Sequence, residues 1–308
     1  MKTKIVRHLE KYAMLAMGVL TITNPAAGKS SYHTNTNMTQ MTIHTYTKAY
    51  FTTGDNVRIA YRLDGPADKP VLVLSNSIAT DLHMWDEQIP VFTKHFRVLR
   101  FDTRGNGSSG APVGDYSIDR MSNDVIELLD YLKIDRVHFL GLSLGGFIGQ
   151  WLAVHEAHRI DKLILANTSS YLGPRDTWNG LIGSLRKDGD ITPFGAMFIN
   201  NWLPKTYQEQ HPEVAAKFRA MVLATPPVGL AGSFAAVRDG DQRRTIALIT
   251  NKTLVIGGRY DGVTLPEHSE LIAKTIPQAK LIILPVVHLS NVEAPQVFEK
   301  AVIDFLLD

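Results

Sequence analysis

Short apolar runs alternate with amphipathic segments from about residue 50 to the end of the chain. The runs rich in strand-forming residues are VRIAYRLDG, PVLVLSNS, FRVLRFD, VHFLG, KLILANT, TLVIGG and KLIILPV. Apolar positions at helical spacing lie between several of them, most clearly in IDRMSNDVIELLDYLKI and GFIGQWLAVHEAH. Because parallel strands need crossover connections, this alternation predicts an α/β fold with a mostly parallel central sheet flanked by helices on both faces.

One long interval departs from this alternation. Between Thr168 and Thr253 we find no convincing core strand, and the best helical segments are NGLIGSLR, PEVAAKFRAMVLA and GLAGSFAAVRD. An insertion after a sheet strand lies on the side where ligands bind in such folds. We therefore predict a helical lid at residues 173–247, inserted before the last core strands. The two parts of the core then occupy residues 48–172 and 248–308.

The first residues have the pattern of a targeting segment. Several basic residues come first, then an apolar run too short to span a bilayer comfortably, then the small residues AAG. We predict a signal peptide at residues 1–28 and a polar linker at residues 29–47, which would give a periplasmic or secreted protein. The alternative is synthesis from Met38 or Met41, which would leave the protein in the cytoplasm.

Composition excludes several classes of function. The 308 residues hold 32 Lys and Arg against 30 Asp and Glu, a net charge of only +2. Such a balance gives no broad basic surface for nucleic acid. With no cysteine, the chain can form no disulfide, thiol nucleophile or cysteine-bound zinc site. We expect no membrane span, and the sequence leaves the oligomeric state open.

A serine between two glycines is the strongest chemical signal. In VHFLGLSLGGFIGQW, a predicted strand leads to Ser143 and a predicted helix follows it. Gly141, Ser143 and Gly145 form the G-x-S-x-G pattern of a nucleophile elbow, whose tight turn leaves no room for neighbouring side chains. The turn presents the hydroxyl at the end of the sheet and directs the Leu144 N–H toward an incoming carbonyl oxygen.

A base and an acid are expected at other strand ends. His288 follows the last strand, whereas His83 is the one rival histidine that also follows a strand. Asp261 follows TLVIGG and precedes the histidine. The chain order Ser143, Asp261, His288 is that of α/β-hydrolases. His288 would move the proton of Ser143, and Asp261 would hold the imidazole in the required tautomer.

An oxyanion hole needs a second donor besides Leu144. We expect it in the loop after PVLVLS, where the backbone N–H of Ile78 would point toward the developing charge. A second glycine pattern, at Gly105, Gly107 and Gly110, spells G-x-G-x-x-G. No helix opens directly after it, so we interpret it as a connecting loop and not as a dinucleotide site.

Several segments together resemble 3-oxoadipate enol-lactonase, a family of the α/β-hydrolase superfamily. They are LSNSIATDLHMWDEQIP, FRVLRFDTRGNGSS, HFLGLSLGGFIGQWLA, TLVIGGRYDGVTLPEH, VVHLSNVEAP and the lid segment RAMVLATPPVGLAGSFAAVRDGD. The resemblance covers roughly residues 48 to 308. It implies hydrolysis of a small, carboxylate-bearing lactone in aromatic catabolism, with no metal and no cofactor. Asn106 stands where the family usually has histidine.

Such a substrate needs a cation to hold its carboxylate. Arg238 in the lid segment is the candidate, although the same residue could instead pair with Asp239 or Asp241 on a solvated face. Trp151 is the second candidate substrate-binding residue. A general carboxylesterase, another lactonase or a cofactor-free perhydrolase would use the same catalytic residues. A non-catalytic binder of this fold is the alternative outside enzymes.

Overall fold

A single twisted sheet forms the centre of the molecule. The computed structural model describes residues 48–308, so the predicted signal peptide and the predicted linker both lie outside the described residues. The strands are β1 (Ala49–Thr52), β2 (Arg58–Asp64), β3 (Val71–Ser75), β4 (Arg97–Phe101), β5 (Val137–Leu142), β6 (Ile160–Ala166), β7 (Lys252–Gly258) and β8 (Lys280–Leu284).

The strand order confirms the predicted, mostly parallel sheet. Within the described residues the order is β1-β2-β4-β3-β5-β6-β7-β8. Strand β2 runs antiparallel to both of its neighbours, and every pair from β4 to β8 is parallel. All six residues of the central β5 are buried, as expected for a strand covered on both faces. The parallel strands therefore end together at one edge of the sheet.

Helices cover the sheet and fill the long interval between β6 and β7. They are α1 (Ile89–Phe92), α2 (Ile118–Tyr131), α3 (Leu144–His155), α4 (Arg175–Asp188), α5 (Thr192–Trp202), α6 (Lys205–Gln210), α7 (Pro212–Ala224), α8 (Pro227–Asp239), α9 (Pro266–Thr275), α10 (Ser290–Glu293) and α11 (Pro295–Leu307). Ser117 caps α2, its hydroxyl accepting a hydrogen bond from the Arg120 N–H.

Helices α4 to α8 form a helical insert after β6. Helix α8 is buried along most of its length, and its small residues permit close packing against the core. A Cβ on Gly229 would overlap the backbone of Gly105, and one on Gly232 would lie 2.7 Å from the Tyr116 ring. Among residues 48–308 no single helix is long and apolar enough to cross a membrane, although the bent pair α7 and α8 passes by length and composition.

Candidate active site

Ser143 lies on a strained turn between β5 and α3. Its backbone has φ 56° and ψ −114°, a positive-φ conformation that residues other than glycine rarely adopt. The turn is held on both sides: the Ser143 N–H donates to the Ala166 carbonyl at 3.0 Å, and its own carbonyl accepts from the Gly146 N–H at 2.9 Å. Surrounding contacts thus impose the strained conformation, as at many functional turns.

The two glycines of the elbow are required by the backbone beside them. A Cβ on Gly141 would overlap the carbonyl of Gly145, and a Cβ on Gly145 would overlap the carbonyl of Ser75. Both obstacles are main-chain atoms of the sheet edge or of the turn itself, which cannot move aside as a flexible side chain can. The spacing of the G-x-S-x-G pattern therefore reflects the close approach of β3, β5 and α3.

We predict that Gly145→Ala lowers the free energy of unfolding by about 2 kcal/mol or more, because the new methyl group must displace backbone. Gly180→Ala is the matched control: Gly180 lies inside α4, and no atom lies within 4 Å of the position that an alanine Cβ would take. This control should be neutral or raise stability by up to about 1 kcal/mol. Urea unfolding of both variants measures the difference. Equal effects would contradict the packing explanation.

His288 and Asp261 form a buried pair. The imidazole Nδ1 lies 2.8 Å from Asp261 Oδ2, and the residues are 0% and 2% exposed. Since a carboxylate oxygen only accepts, Nδ1 carries the proton and Nε2 is left as an acceptor in the neutral ring. Nε2 is buried and makes no hydrogen bond within the part of the chain that the structure describes. The imidazole is thus held in one tautomer, and its Nε2 is left without a partner among residues 48–308.

Several donors keep Asp261 ionised. Oδ1 accepts from the N–H groups of Val263 at 2.8 Å and Thr264 at 2.9 Å. Oδ2 accepts from the Thr264 hydroxyl at 2.7 Å as well as from His288. Burial acts to raise the pKa of Asp261, but the electrostatic interaction with the His288 imidazole and these hydrogen bonds outweigh it and hold the pKa below its ordinary value. A charged carboxylate can stabilise an imidazolium at His288.

Neighbouring strands bring the three predicted residues to one sheet edge. Ser143 follows β5, Asp261 follows β7 and His288 follows β8, and β6 lies between β5 and β7. Two residues just after β6 contact Ser143 and Asp261. The Thr168 hydroxyl donates to the Ser143 carbonyl at 2.7 Å, and the Asn167 amide donates to Asp261 Oδ2 at 3.2 Å. The sequence motifs assign a role to neither Thr168 nor Asn167.

The loop after β3 is anchored beside the elbow. The Ala79 N–H donates to Asn106 Oδ1 at 3.0 Å, and the Gly145 N–H donates to the Asn76 carbonyl at 3.0 Å. The first of these bonds ties the loop to the connection after β4, and the second ties it to α3. Asn106, which stands where the family usually has histidine, therefore has a structural role in holding this loop.

The two predicted oxyanion-hole donors have no acceptor among the described residues. Within residues 48–308, the N–H groups of Ile78 and Leu144 donate no hydrogen bond. Each lies next to a residue whose N–H is engaged, Ala79 in the loop and Gly145 in the first turn of α3. Both predicted oxyanion-hole donors are therefore left for a further acceptor.

The rival histidine, His83, has other contacts, and so has Asp102, a further aspartate that follows a strand. His83 Nδ1 pairs with Asp86 at 3.1 Å, and its side chain is 38% exposed. Asp102 is buried at the end of β4 and accepts from the N–H groups of Leu82 and Ser108, each at 2.7 Å. Asp102 thus fixes the loops after β3 and β4, and His83 makes a partly exposed contact with Asp86.

Both candidate substrate-binding residues are engaged with protein groups. The Trp151 indole N–H donates to Asp119 at 2.7 Å. The Arg238 guanidinium donates to Asp239 at 3.0 Å and to Asp115 at 2.9 Å. These contacts match the alternative in which Arg238 pairs with a neighbouring aspartate, and Asp239 is one of the two aspartates expected. A substrate-binding role for either residue stays a prediction.

No group of three or more His, Cys, Asp or Glu side chains in the described part of the chain is arranged to hold a metal ion. The residues at the sheet edge combine a hydroxyl, an imidazole and a carboxylate with two unpaired backbone donors. Such an arrangement can carry out acyl transfer, which needs a nucleophile, an oriented base and hydrogen-bond donors for a developing oxyanion.

Known proteins share both this fold and much of this sequence. The family model described as the alpha/beta hydrolase fold matches residues 70–295. 3-Oxoadipate enol-lactonase 2 of Acinetobacter baylyi is 37% identical over 250 residues, 81% of this chain and 93% of the relative. The enol-lactonase structure from Burkholderia xenovorans LB400 has 37% identity and a TM-score of 0.82, covering 84% of this chain and 100% of that one.

A further solved structure has a higher sequence identity. A hydrolase from Pseudomonas aeruginosa PA01 is 54% identical with a TM-score of 0.83, covering 84% of this chain and 98% of that one. In all three of these relatives the similarity extends over nine-tenths or more of the relative's own length. The chain therefore belongs to the α/β-hydrolase fold family, as a relative of the 3-oxoadipate enol-lactonases.

Proposed function

We propose that this protein is a serine hydrolase that opens a small, carboxylate-bearing lactone similar to 3-oxoadipate enol-lactone. The observation that carries the chemistry is the buried imidazole of His288: its Nδ1 is held by Asp261, and its Nε2 has no hydrogen-bond partner in the described residues. Ser143, on its strained turn at the same sheet edge, is the proposed nucleophile. The names of the enol-lactonase relatives support the substrate class.

In the first half of the reaction, Ser143 Oγ attacks the lactone carbonyl carbon while His288 Nε2 takes its proton. Asp261 stabilises the imidazolium that forms. The N–H groups of Ile78 and Leu144 would receive the negative charge on the carbonyl oxygen, a contribution of roughly 3 kcal/mol for each donor in comparable enzymes. When the carbonyl re-forms, the ring C–O bond breaks and His288 protonates the leaving enol oxygen.

The second half of the reaction frees the enzyme. The leaving oxygen of a lactone stays on the same molecule, so the acyl chain bound to Ser143 carries it. Water then attacks the ester carbonyl, and His288 accepts a proton from that water. Collapse of the second tetrahedral intermediate breaks the bond to Ser143 Oγ, which takes the proton back from His288. The product is the open-chain acid.

A neutral ester or lactone is the second candidate substrate. The guanidinium of Arg238, the cation nominated for the substrate carboxylate, already donates to the carboxylates of Asp115 and Asp239. A guanidinium whose nitrogens already donate to two carboxylates has fewer free donors for a third. This observation favours a substrate without a remote charge, whereas the relatives favour one that carries it.

A matched pair of substrates separates the two candidates. We predict that kcat/KM for ring opening of 3-oxoadipate enol-lactone exceeds that of its methyl ester, in which only the remote carboxylate is neutralised, by about tenfold or more, or about 1.4 kcal/mol. The loss of lactone absorbance reports ring opening for both. Equal values, or a preference for the methyl ester, would assign the protein to general lactonases or carboxylesterases.

Arg238→Ala tests the nominated carboxylate-binding residue. Because its guanidinium is engaged by protein carboxylates, we expect Arg238→Ala to lower kcat/KM for the acid and the methyl ester by the same factor. Arg175→Ala is the control, since Arg175 pairs with the same Asp239 from an exposed position. A loss of about tenfold confined to the acid would instead show that Arg238 clamps the substrate.

A further inference from the structure

The end of β6 contacts both the proposed nucleophile, Ser143, and the proposed acid–base pair, Asp261 and His288. Ala166, Asn167 and Thr168 are consecutive, and each makes a hydrogen bond to the elbow or to the acid–base pair. Strand β6 lies between β5, which leads to Ser143, and β7, which leads to Asp261. The end of β6 is therefore placed to hold these groups relative to one another, a role that rests on the proposed function.

On the nucleophile side, the strand end holds the Ser143 backbone on both sides. The Ser143 N–H donates to the Ala166 carbonyl at 3.0 Å, and the Thr168 hydroxyl donates to the Ser143 carbonyl at 2.7 Å. Thr168 is 1% exposed, and a Cβ on Gly146 would overlap its side chain. The threonine thus fits closely against the first turn of α3 and restrains the serine backbone.

On the acid–base side, the Asn167 amide holds two groups. Its Nδ2 donates to Asp261 Oδ2 at 3.2 Å and to the Val287 carbonyl at 3.0 Å. The same carboxylate oxygen pairs with His288 Nδ1 at 2.8 Å. Val287 directly precedes His288, and its N–H donates to Glu293 at 2.7 Å. One amide therefore restrains both the acid and the peptide that carries the base.

The backbone conformation and the surroundings of Asn167 are locally unfavourable. Its φ of 41° lies in the left-handed region, which asparagine tolerates better than most residues. Its Oδ1 is buried and makes no hydrogen bond within residues 48–308. An unpaired buried acceptor and a strained backbone both disfavour the folded state. Such a residue at a sheet edge with catalytic groups points to a functional requirement.

We propose that Asn167 and Thr168 are positioning residues that set the placement of Ser143 relative to Asp261 and His288. Thr168 acts through the backbone of Ser143, and Asn167 acts through Asp261 and the Val287 peptide. Because misplacement by about 1 Å can slow catalysis by about 100-fold, contacts of this kind govern kcat without touching the substrate.

Asn167→Ala tests the acid–base side. We expect kcat to fall by about 30-fold, within the range that misplacement causes, while KM stays within about twofold. In a background that already carries Asp261→Ala, the same substitution should lower kcat by less than about threefold, since residues that act through one another are not additive. An equal loss in both backgrounds, or a change in KM with kcat unaltered, would overturn this role.

Thr168→Val and Thr168→Ser test the nucleophile side as a matched pair. Valine keeps the branched shape without the hydroxyl, and serine keeps the hydroxyl without the methyl group. We expect Thr168→Val to lower kcat and the rate of fluorophosphonate labelling by about tenfold, and Thr168→Ser to stay within about threefold of the wild type. If Thr168→Ser lowers kcat and the labelling rate as much as Thr168→Val does, the hydroxyl has no positioning role and Thr168 only fills space.

These outcomes are separable from failure of the proposed function. If Ser143→Ala retained hydrolysis, the catalytic assignment itself would be wrong, whatever Asn167 and Thr168 do. If Ser143→Ala is inactive while both Asn167→Ala and Thr168→Val keep the wild-type kcat, only the positioning role is overturned. Should Asn167→Ala not fold, as thermal unfolding would reveal, the threonine pair still decides whether this strand end positions the serine.

Discussion

Ser143→Ala is expected to abolish hydrolysis almost completely, lowering kcat by about 10⁴-fold or more, because covalent catalysis loses its nucleophile. The backbone hydrogen bonds of residue 143 to Ala166, Gly146 and Thr168 do not involve its hydroxyl. Alanine can form the same bonds, so the variant should fold and unfold at the wild-type temperature. Steady-state assays with the enol-lactone and with p-nitrophenyl acetate measure the loss, and thermal unfolding serves as the control.

A small loss would point to a different nucleophile. Retention of more than about a tenth of wild-type kcat on either substrate is incompatible with a covalent role for Ser143. If a large loss came with a lower unfolding temperature, Ser143→Cys provides a second variant of similar size. Its hydrolytic activity should also fall, while its new thiol should react with alkylating reagents if the elbow geometry is intact.

His288→Ala should lower kcat nearly as much as Ser143→Ala, and Asp261→Asn somewhat less. Without the imidazole, no base lies ready to take the serine proton, whereas Asp261→Asn retains the base but can hold it in the wrong tautomer. The Ser143→Ala/His288→Ala double variant should be hardly slower than either single variant, because the two residues act as a unit. Multiplicative losses would show that they act independently.

Wild-type turnover by Asp261→Asn would show that the acid has been assigned to the wrong residue. His288→Ala needs a check on folding as well, because it removes a hydrogen-bond partner of a buried carboxylate. The remaining donors to Asp261, from Val263 and Thr264, reduce that effect. His83→Ala is the matched control: this histidine is partly exposed and contacts Asp86, and we expect its loss to leave kcat unchanged.

The inner strands of the sheet were predictable because they are buried on both faces. Continuous apolar runs such as VHFLGL in β5 leave little ambiguity. Strand β1 was missed, since AYFT is short and alternates between half-buried and exposed residues at the sheet edge. In the insert, α7 was predicted with its observed limits, whereas α5 and α6 were not recognised. TPFGAMFINNW contains glycine, proline and two asparagines, all weak helix formers.

A residue of the candidate site was predictable where it directly follows a strand within a recognisable sequence motif. Ser143, Asp261 and His288 were selected in that way. The contacts of Asn167 depend on β6 lying beside β7, which the sequence does not specify, and its amide was therefore not identified as a partner of Asp261. The contacts of Arg238 depend equally on distant residues, because Asp115 lies far from it in the chain.

Mass spectrometry after treatment with a fluorophosphonate is the most direct test of Ser143 as an activated nucleophile, because only a serine activated by its own base reacts readily with this reagent. We predict one covalent adduct per chain, located on the peptide that contains Ser143. We also predict little labelling of His288→Ala under the same conditions and none at residue 143 in Ser143→Ala. An unlabelled wild-type protein, or an adduct on a different residue, would contradict this assignment.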